Sequence, residues 1–396
     1  MSNPKTALII GGGPAGLMTA QELATAGVKV TLLDAKPSVG RKFLMAGKSG
    51  LNLTKDEPFE DFLTNYSDHS DWLTPALADF GPDETMDFAR SLGIEIFTGS
   101  TRRVFPKAMK ASPLLRAWLA RLDSLGVVRK TRHRWTGWTK KGHVIDTPGG
   151  LIEMQTDATI FALGGASWAK LGSDGKWAEQ FETAGISCIP FAHSNCGLNV
   201  AWSPHMAPHF GTPLKAVRFS SGPITSSGEA VISAKGIEGG GIYALSPALR
   251  AGEALTVDMK PAWSLERTMQ ALARPRGKSS LSNHIRKSLK LGKLEVALLQ
   301  EWTRPLPADP AELAKIVKNL PVKHAGFRPL DEAISTAGGI APEALTATLM
   351  LKSHEGQFCA GEMLGWDAPT GGYLITGCLA SGKQAAKGVL DFLGTA

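Results

Sequence analysis

The spacing of apolar residues changes period several times along the 396-residue chain, and each change marks an element. Ala7-Leu8-Ile9-Ile10 is a short unbroken apolar run, the pattern of a strand covered on both faces. From Gly11 to Ala20 (GGGPAGLMTA) the period turns helical, with Leu17, Ala20 and Ala24 on one face. Gly27 predicts the end of that helix, and Val28–Leu33 (VKVTLL) reads as a second strand closed by Asp34. Ala158–Leu163 repeats the buried-strand pattern and stops at Gly164-Gly165; Gln357–Ala360 does so again, with a helix following to Leu393. Between these runs the texture differs. Glu57–Leu92 reads mostly helical with breaks at Pro75 and Pro82, the residues after Pro190 read as short strands split by Gly, Ser and Pro, and Trp263–Leu320 reads helical. The last stretch, roughly sixty residues with one strong strand and one helix, cannot bury a core alone and is expected to complete the N-terminal sheet.

The strand, glycine turn and helix start at the N-terminus have the form of a dinucleotide site. Gly11 permits the turn, Gly13 lets backbone approach a pyrophosphate, and Gly16 lets the helix press on the strand; Pro14 and Ala15 lie at the helix start. Phosphates would meet unpaired N–H groups and the positive end of the helix dipole. Asp34, 23 positions after Gly11 and followed by Ala35, stands where a ribose-binding carboxylate is needed and favours an unphosphorylated ribose. The loop Ala35–Thr54 carries Gly40, Gly47 and Gly50 with Arg41 and Lys42, which suits a close pass by a ligand bearing phosphates and carbonyl oxygens.

That loop resembles the BaiN/RdsA-type NAD(P)/FAD-dependent oxidoreductases, also called aminoacetone-oxidase-like flavoproteins, whose pattern is GRKxLxSGxGRCNxTN. Gly40, Arg41, Lys42, Leu44, Gly47, Asn52 and Thr54 match it; Ala46, Ser49, Gly50, Leu51 and Lys55 depart, where the family has its Arg-Cys pair among others. Similar segments recur at Arg103–Leu115, at Gly164, Gly165 and Ser167 with Gly172–Gly175, at Gly228–Ser246 with departures at Glu238 and Gly240, and at Gly361-Glu362 with PTGGY from Pro369. The resemblance implies FAD as cofactor. It places Val128 near the adenine, Gly164 and Gly165 against the cofactor, Glu362 at the ribityl chain, and Gly371 and Gly372 under the isoalloxazine at a helix N-terminus, where the dipole favours the charge of a reduced flavin. Cofactor contacts are thus expected at Gly11, Gly13, Pro14, Ala15, Gly16, Asp34, Ala35, Arg41, Lys42, Gly47, Asn52, Val128, Gly164, Gly165, Gly361, Glu362, Gly371, Gly372 and Tyr373. Lys48 and Tyr373 are the candidates for the substrate face, the lysine to polarise a carbonyl and the tyrosine to stack or give a proton.

The fold expected is α/β, a discontinuous Rossmann-type FAD-binding domain (1–190 and 331–396) interrupted by a small β-barrel-like domain (191–262 and 321–330) and a helical subdomain (263–320). The four cysteines have no CxxC or metal-ligand spacing, so no metal is expected. A first strand beginning about five residues in leaves no room for a signal peptide, and no apolar run has the length of a membrane span, which points to the cytoplasm. The net charge of +7 favours acidic partners. It gathers in two acid-free blocks, 129–141 with Trp135 and Trp138, and 267–293, which read as solvated surface or as RNA contacts. With one Rossmann fingerprint taken by the flavin, NAD(P)H would act as a transient donor docking without that motif, or be absent. The leading expectation is an FAD-dependent oxidoreductase moving a hydride between substrate and flavin N5. The family also spans small-molecule substrates and reduction of a ribosomal RNA uridine to dihydrouridine, and the basic blocks favour the latter; a non-catalytic flavoprotein or redox sensor is the reading from another class.

Overall fold

The computed structural model describes residues 4–48, 50–66 and 70–395, so Ser49 of the loop lies outside the described residues. The chain forms two compact units, one built from the residues up to 192 together with those from 335 onward, the other from 193–334.

The first unit is organised on a five-stranded parallel sheet: β1 (Thr6–Ile10), β2 (Lys29–Asp34), β3 (Val128–Thr131), β4 (Ala158–Phe161) and β5 (Gln357–Cys359). Its spatial order is 3-2-1-4-5, all pairs parallel, with Ala7 opposite both Val30 and Ala158 and Ile160 opposite Phe358. This is the α/β doubly wound arrangement that the apolar runs predicted, and it has a switch point between β1 and β4 where the order reverses. Helix α1 (Pro14–Thr25) links β1 to β2, α2 (Arg41–Ala46) follows β2, and α3 (Tyr373–Leu393) closes the chain. The strands read as continuous apolar runs because layers cover both faces: all four residues of β4 are buried.

The two ends of the chain meet between α1 and α3. Gly382 comes so near Ala15 that a Cβ on it would lie 2.5 Å from the Ala15 carbonyl oxygen, and Thr19 Oγ1 donates to the Gly382 carbonyl at 2.8 Å. Backbone-to-backbone contact of this kind requires glycine. Beyond β3 an antiparallel sheet of 134–138, 143–147 and 150–154 turns Trp135 and Trp138 inward; Trp135 stacks edge-on to Phe161 at 5.0 Å and Trp138 to Phe181 at 5.0 Å. The tryptophans of the first basic block therefore belong to the core.

The breaks expected at Pro75 and Pro82 are helix starts. Each proline occupies one of the first two positions of a new helix, Thr74–Asp79 and Pro82–Ser91, where a missing N–H costs no hydrogen bond.

The second unit has two four-stranded antiparallel sheets and helices that include Leu265–Leu272, Leu281–Leu289, Lys293–Thr303 and Pro310–Lys318, packed around its own core of residues such as Phe219, Ile285 and Leu298. Among the described residues no helix is long and apolar enough to cross a membrane, and no cluster of His, Cys, Asp or Glu is placed to hold a metal ion.

Candidate cofactor site

At the C-terminal ends of β1 and β4 the backbone turns away from the sheet and leaves a cleft of about 1110 Å³ including its mouth. The glycine turn forms its floor. Gly11 has φ +118 and no room for a Cβ, which would run into the Ala162 carbonyl; a Cβ on Gly16 would run into the carbonyl of Gly11. Those two glycines are required by packing, as the fingerprint predicts. Gly13 differs. Its φ of −81 suits any residue, and a Cβ on it meets nothing within 4 Å. It is the N-cap of α1, with Pro14 at the first helical position, so the unpaired amides of the first turn open into the space it leaves. A diphosphate approaching those amides would fill that space, which suits a dinucleotide.

Asp34, at the end of β2, accepts from the Gly12 amide at 3.1 Å and from the Lys36 amide at 2.7 Å. Burial raises its carboxyl above the usual value, and those two hydrogen bonds oppose the shift. Both oxygens keep lone pairs for a ribose hydroxyl. The segment after β3 is drawn to the same place, with the His133 amide bonded to the Asp34 carbonyl at 3.0 Å.

The opposite wall comes from the C-terminal part of the chain. Gly361 has φ +84, its amide donates to Ser381 Oγ at 3.0 Å, and a Cβ on it would lie 2.7 Å from Ala15 Cβ, so the turn that follows β5 abuts the start of α1. Glu362 next to it accepts from Lys42 Nζ at 2.6 Å, and Lys42 also donates to Ser167 at 2.9 Å. The other Glu362 oxygen accepts the Thr336 amide at 3.3 Å. Residues from four distant stretches are thereby fixed to one another. Cys378 lines the cleft as a neutral thiol, raised to about 12 by burial first and by the Glu362 charge second.

Two lining side chains keep a buried polar atom with no partner among the described residues, Arg41 Nε and Gln180 Oε1. Buried polar atoms are nearly always paired, so a donor and an acceptor left open here suit a polar ligand. Open space at Gly13, the Asp34 carboxylate and these orphaned atoms together fit an FAD.

Of the residues expected from sequence, Gly11, Gly13, Pro14, Ala15, Asp34, Ala35, Arg41, Lys42, Gly164, Gly361 and Glu362 line the cleft. Gly16 and Gly165 support it from behind, Gly165 wedged against Thr336 and Glu362. Asn52 lies off the lining with its Oδ1 unpartnered, and Val128 is 51% exposed on β3. Gly47 and Lys48 border a separate shallow depression with Arg41 and Lys110. Gly371 and Gly372 have φ of +130 and +110, and Gly372 packs on the backbone of Thr54, leaving no room for a Cβ. Tyr373 is buried with Phe62 and Tyr66; its hydroxyl donates to Glu57 at 2.6 Å and accepts from Lys55 at 2.9 Å. Burial, and then Glu57, keep that hydroxyl protonated far above the ordinary tyrosine range. Sequence reasoning did not single out His133, Arg134, Trp177 and Gln180, which complete the walls.

The description of the HI0933-like protein Rossmann domain matches residues 5–388. The chain belongs to that family, the BaiN/RdsA group its glycine loop resembles, and with it to the FAD-dependent oxidoreductases. It is 24% identical over 412 residues to a ribosomal RNA dihydrouridine synthase of Haemophilus influenzae, covering 94% of this chain and 95% of that protein. A local likeness, 35% identical over 115 residues, links it to a carotenoid phi-ring synthase of Chlorobaculum tepidum, covering 27% of this chain and 17% of that one. Among solved structures, Mycobacterium smegmatis Sdh1 in complex with UQ1 shares the fold with a TM-score of 0.51 at 14% identity, covering 99% of this chain and 69% of that one.

Proposed function

We propose that this member of the HI0933-like family uses FAD to reduce a uridine in structured RNA, adding a hydride and a proton across the C5=C6 bond of its uracil. The observation that carries the reading is the end-to-end likeness, 94% of this chain against 95% of the other, to a ribosomal RNA dihydrouridine synthase. Bound in the cleft, FAD would supply hydride chemistry at its isoalloxazine ring. The protein's part is position and field. The amides at Gly13 and the start of α1 hold the diphosphate, and Asp34 holds the ribose. Lys42, tied to Glu362, fixes the inner end, so the cofactor meets a neutral pair instead of a lone charge. Tyr373, buried and engaged at both sides by Lys55 and Glu57, acts as a pin for the start of α3. NAD(P)H, docking without a second glycine fingerprint, is the proposed hydride source.

A second reading, redox chemistry on a small molecule, draws on Gly50 and Leu51, which stand where the resembled loop has Arg-Cys. Leu51 is fully buried and has no titratable group. One experiment separates the two. The holoprotein, reduced anaerobically with NADPH, is mixed with ribosomal RNA lacking dihydrouridine. Return of the oxidised-flavin absorbance, with a digested nucleoside heavier than uridine by two hydrogens, supports the first. Reoxidation by a small enone and not by RNA rejects it.

A further inference from the structure

The two basic blocks look alike in sequence but differ in the folded chain. In 129–141, Arg129 is paired with Asp123 at 2.5 Å and Arg134 with Asp174 at 3.4 Å, Trp135 and Trp138 are spent on the core, and four exposed cations, Lys130, Arg132, Lys140 and Lys141, are left without an ion pair among the described residues. In 267–293 all eight cations are exposed, and among the described residues none is ion-paired. Arg286 reaches only the neutral amide of Asn283 at 3.2 Å, and Arg267 lies over the Trp263 ring at 4.3 Å. The imbalance extends to the whole helical stretch. Residues 263–320 hold eleven Lys and Arg against five Asp and Glu, a net of +6 in a chain whose total is +7. Nearly all the excess charge of the protein is therefore concentrated there, offset among the described residues by one ion pair out of the stretch, Lys318 to Asp258 at 2.7 Å.

We infer that this helical stretch of the second unit is the protein's RNA-gripping surface and that block 129–141 is not. Six of its cations sit in two groups that flank or end the helix Leu281–Leu289: Arg274, Arg276 and Lys278 in the loop before it, and Arg286, Lys287 and Lys290 in its last turn and cap. That helix spans about 13 Å at 1.5 Å per residue, so the two groups can meet phosphates several nucleotides apart on a folded strand. Exposed guanidinium and ammonium groups without an internal ion pair have no such pair to break on meeting phosphate, and counterion release drives the contact. An anionic membrane is the other polyanion that such a surface could meet. It is disfavoured because the large exposed apolar residues here are only Leu265 and Met269, and the cation-bearing helix has none, too little to insert between lipids. The choice of RNA rests on the proposed function; the choice of surface rests on charge and exposure.

The test is the salt dependence of binding between the full-length holoprotein and a fluorescein-labelled hairpin RNA with uridines in its loop, read by anisotropy. Three proteins are compared with wild type. One carries Arg274→Gln, Arg276→Gln and Lys278→Gln, a second Arg286→Gln, Lys287→Gln and Lys290→Gln, and a third Lys130→Gln, Arg132→Gln, Lys140→Gln and Lys141→Gln. Each of the first two should lower the slope of log K against log salt by about 2 to 3 and weaken binding on the order of a hundredfold at 0.1 M salt. The third should match wild type. Because all substituted side chains are exposed, bound flavin and its bleaching by dithionite should be unchanged throughout and serve as the check on folding. If wild type binds RNA and the first two variants bind it with the same slope, the surface assignment is wrong and the RNA reading stands. If wild type shows no salt-dependent RNA binding, both are wrong; binding instead to phosphatidylserine vesicles, lost in the first two variants, would replace RNA with membrane.

Discussion

Replacing Gly13 with Asp separates the cofactor from the fold. Gly13 is in extended backbone at φ −81 and is the N-cap of α1, with empty space where its Cβ would go. Aspartate is a preferred N-cap and glycine a weaker one, and removing a glycine also restricts the unfolded chain; both effects favour the variant by a few tenths to about 1 kcal/mol. The protein without cofactor should thus melt at the same temperature as wild type or slightly higher. With FAD the balance reverses. A carboxylate about 4 Å from a diphosphate charge, at the effective dielectric near a protein surface, costs about 4 kcal/mol, and the amide the diphosphate needs is taken by the new cap. That is roughly a thousandfold in affinity, enough to turn a purified yellow protein colourless. The assay pairs the flavin absorbance of purified protein with thermal melting of apoprotein, and Gly11→Ala is the contrast. Gly11 has φ +118 and no space against Ala162, so its variant should lose flavin and stability together. Retention of stoichiometric FAD by Gly13→Asp would mean that the diphosphate does not lie at the start of α1. Loss of fold in that variant would mean that the N-cap geometry is misread.

Gly382→Leu forces a side chain into the backbone of α1 and should destabilise by about 3 kcal/mol, seen as a lower urea midpoint, with flavin lost only as the protein unfolds; an unchanged midpoint would show that α1 and α3 are not in contact. Tyr373→Phe should cost about 1 kcal/mol and leave turnover within a few-fold, since Lys55 and Glu57 stay paired at 2.7 Å; a loss of a hundredfold or more in kcat would make its hydroxyl the proton donor instead. His143, buried between Trp135 and Thr159, has its pKa lowered to about 4, by burial first and by His354 second. Below the ordinary value of 6.5 the unfolded chain takes a proton that the folded one refuses. Stability should therefore fall as pH drops through 6.5, the loss reaching at most about 3 kcal/mol near pH 4. His143→Gln should remove that part of the pH dependence in urea titrations, and identical profiles for the two proteins would contradict it.

The parts of the site that were legible in sequence are those where local chain geometry and ligand geometry coincide. β1, the glycine turn, α1, β2 and Asp34 lie within about thirty contiguous residues, and hydrophobic period and glycine sterics act at that range. The strands of β4 and β5 were visible as apolar runs, because a strand covered on both faces has no polar side to disguise it. His133 and Arg134 were not visible as wall residues. Their place depends on the chain after β3 being held to the Asp34 carbonyl, a contact across about a hundred residues that no local pattern encodes. Gln180 and Trp177 are brought in by a short helix with ordinary composition. Tyr373 shows the opposite difficulty: next to a glycine pair it reads as chemistry, while in the fold its ring is core and its hydroxyl is engaged on both sides. The basic blocks, with six cations in 129–141 and eight in 267–293, looked alike in sequence, and ion pairing and the direction of the tryptophans told them apart.

The seating of Gly382 on Ala15 has a consequence for how the protein is made. The ribosome releases the nucleotide cradle first and the helix that braces it last, with the whole second unit synthesised in between. At about 5 to 20 residues per second, the β4 edge and the apolar flank of α1 wait tens of seconds for their cover. A nascent chain stalled before Gly361 has no wall opposite its glycine loop, so added FAD should rescue only finished polypeptides. Shortages of FAD should then leave full-length apoprotein to quality control, while truncated products are discarded whatever the supply.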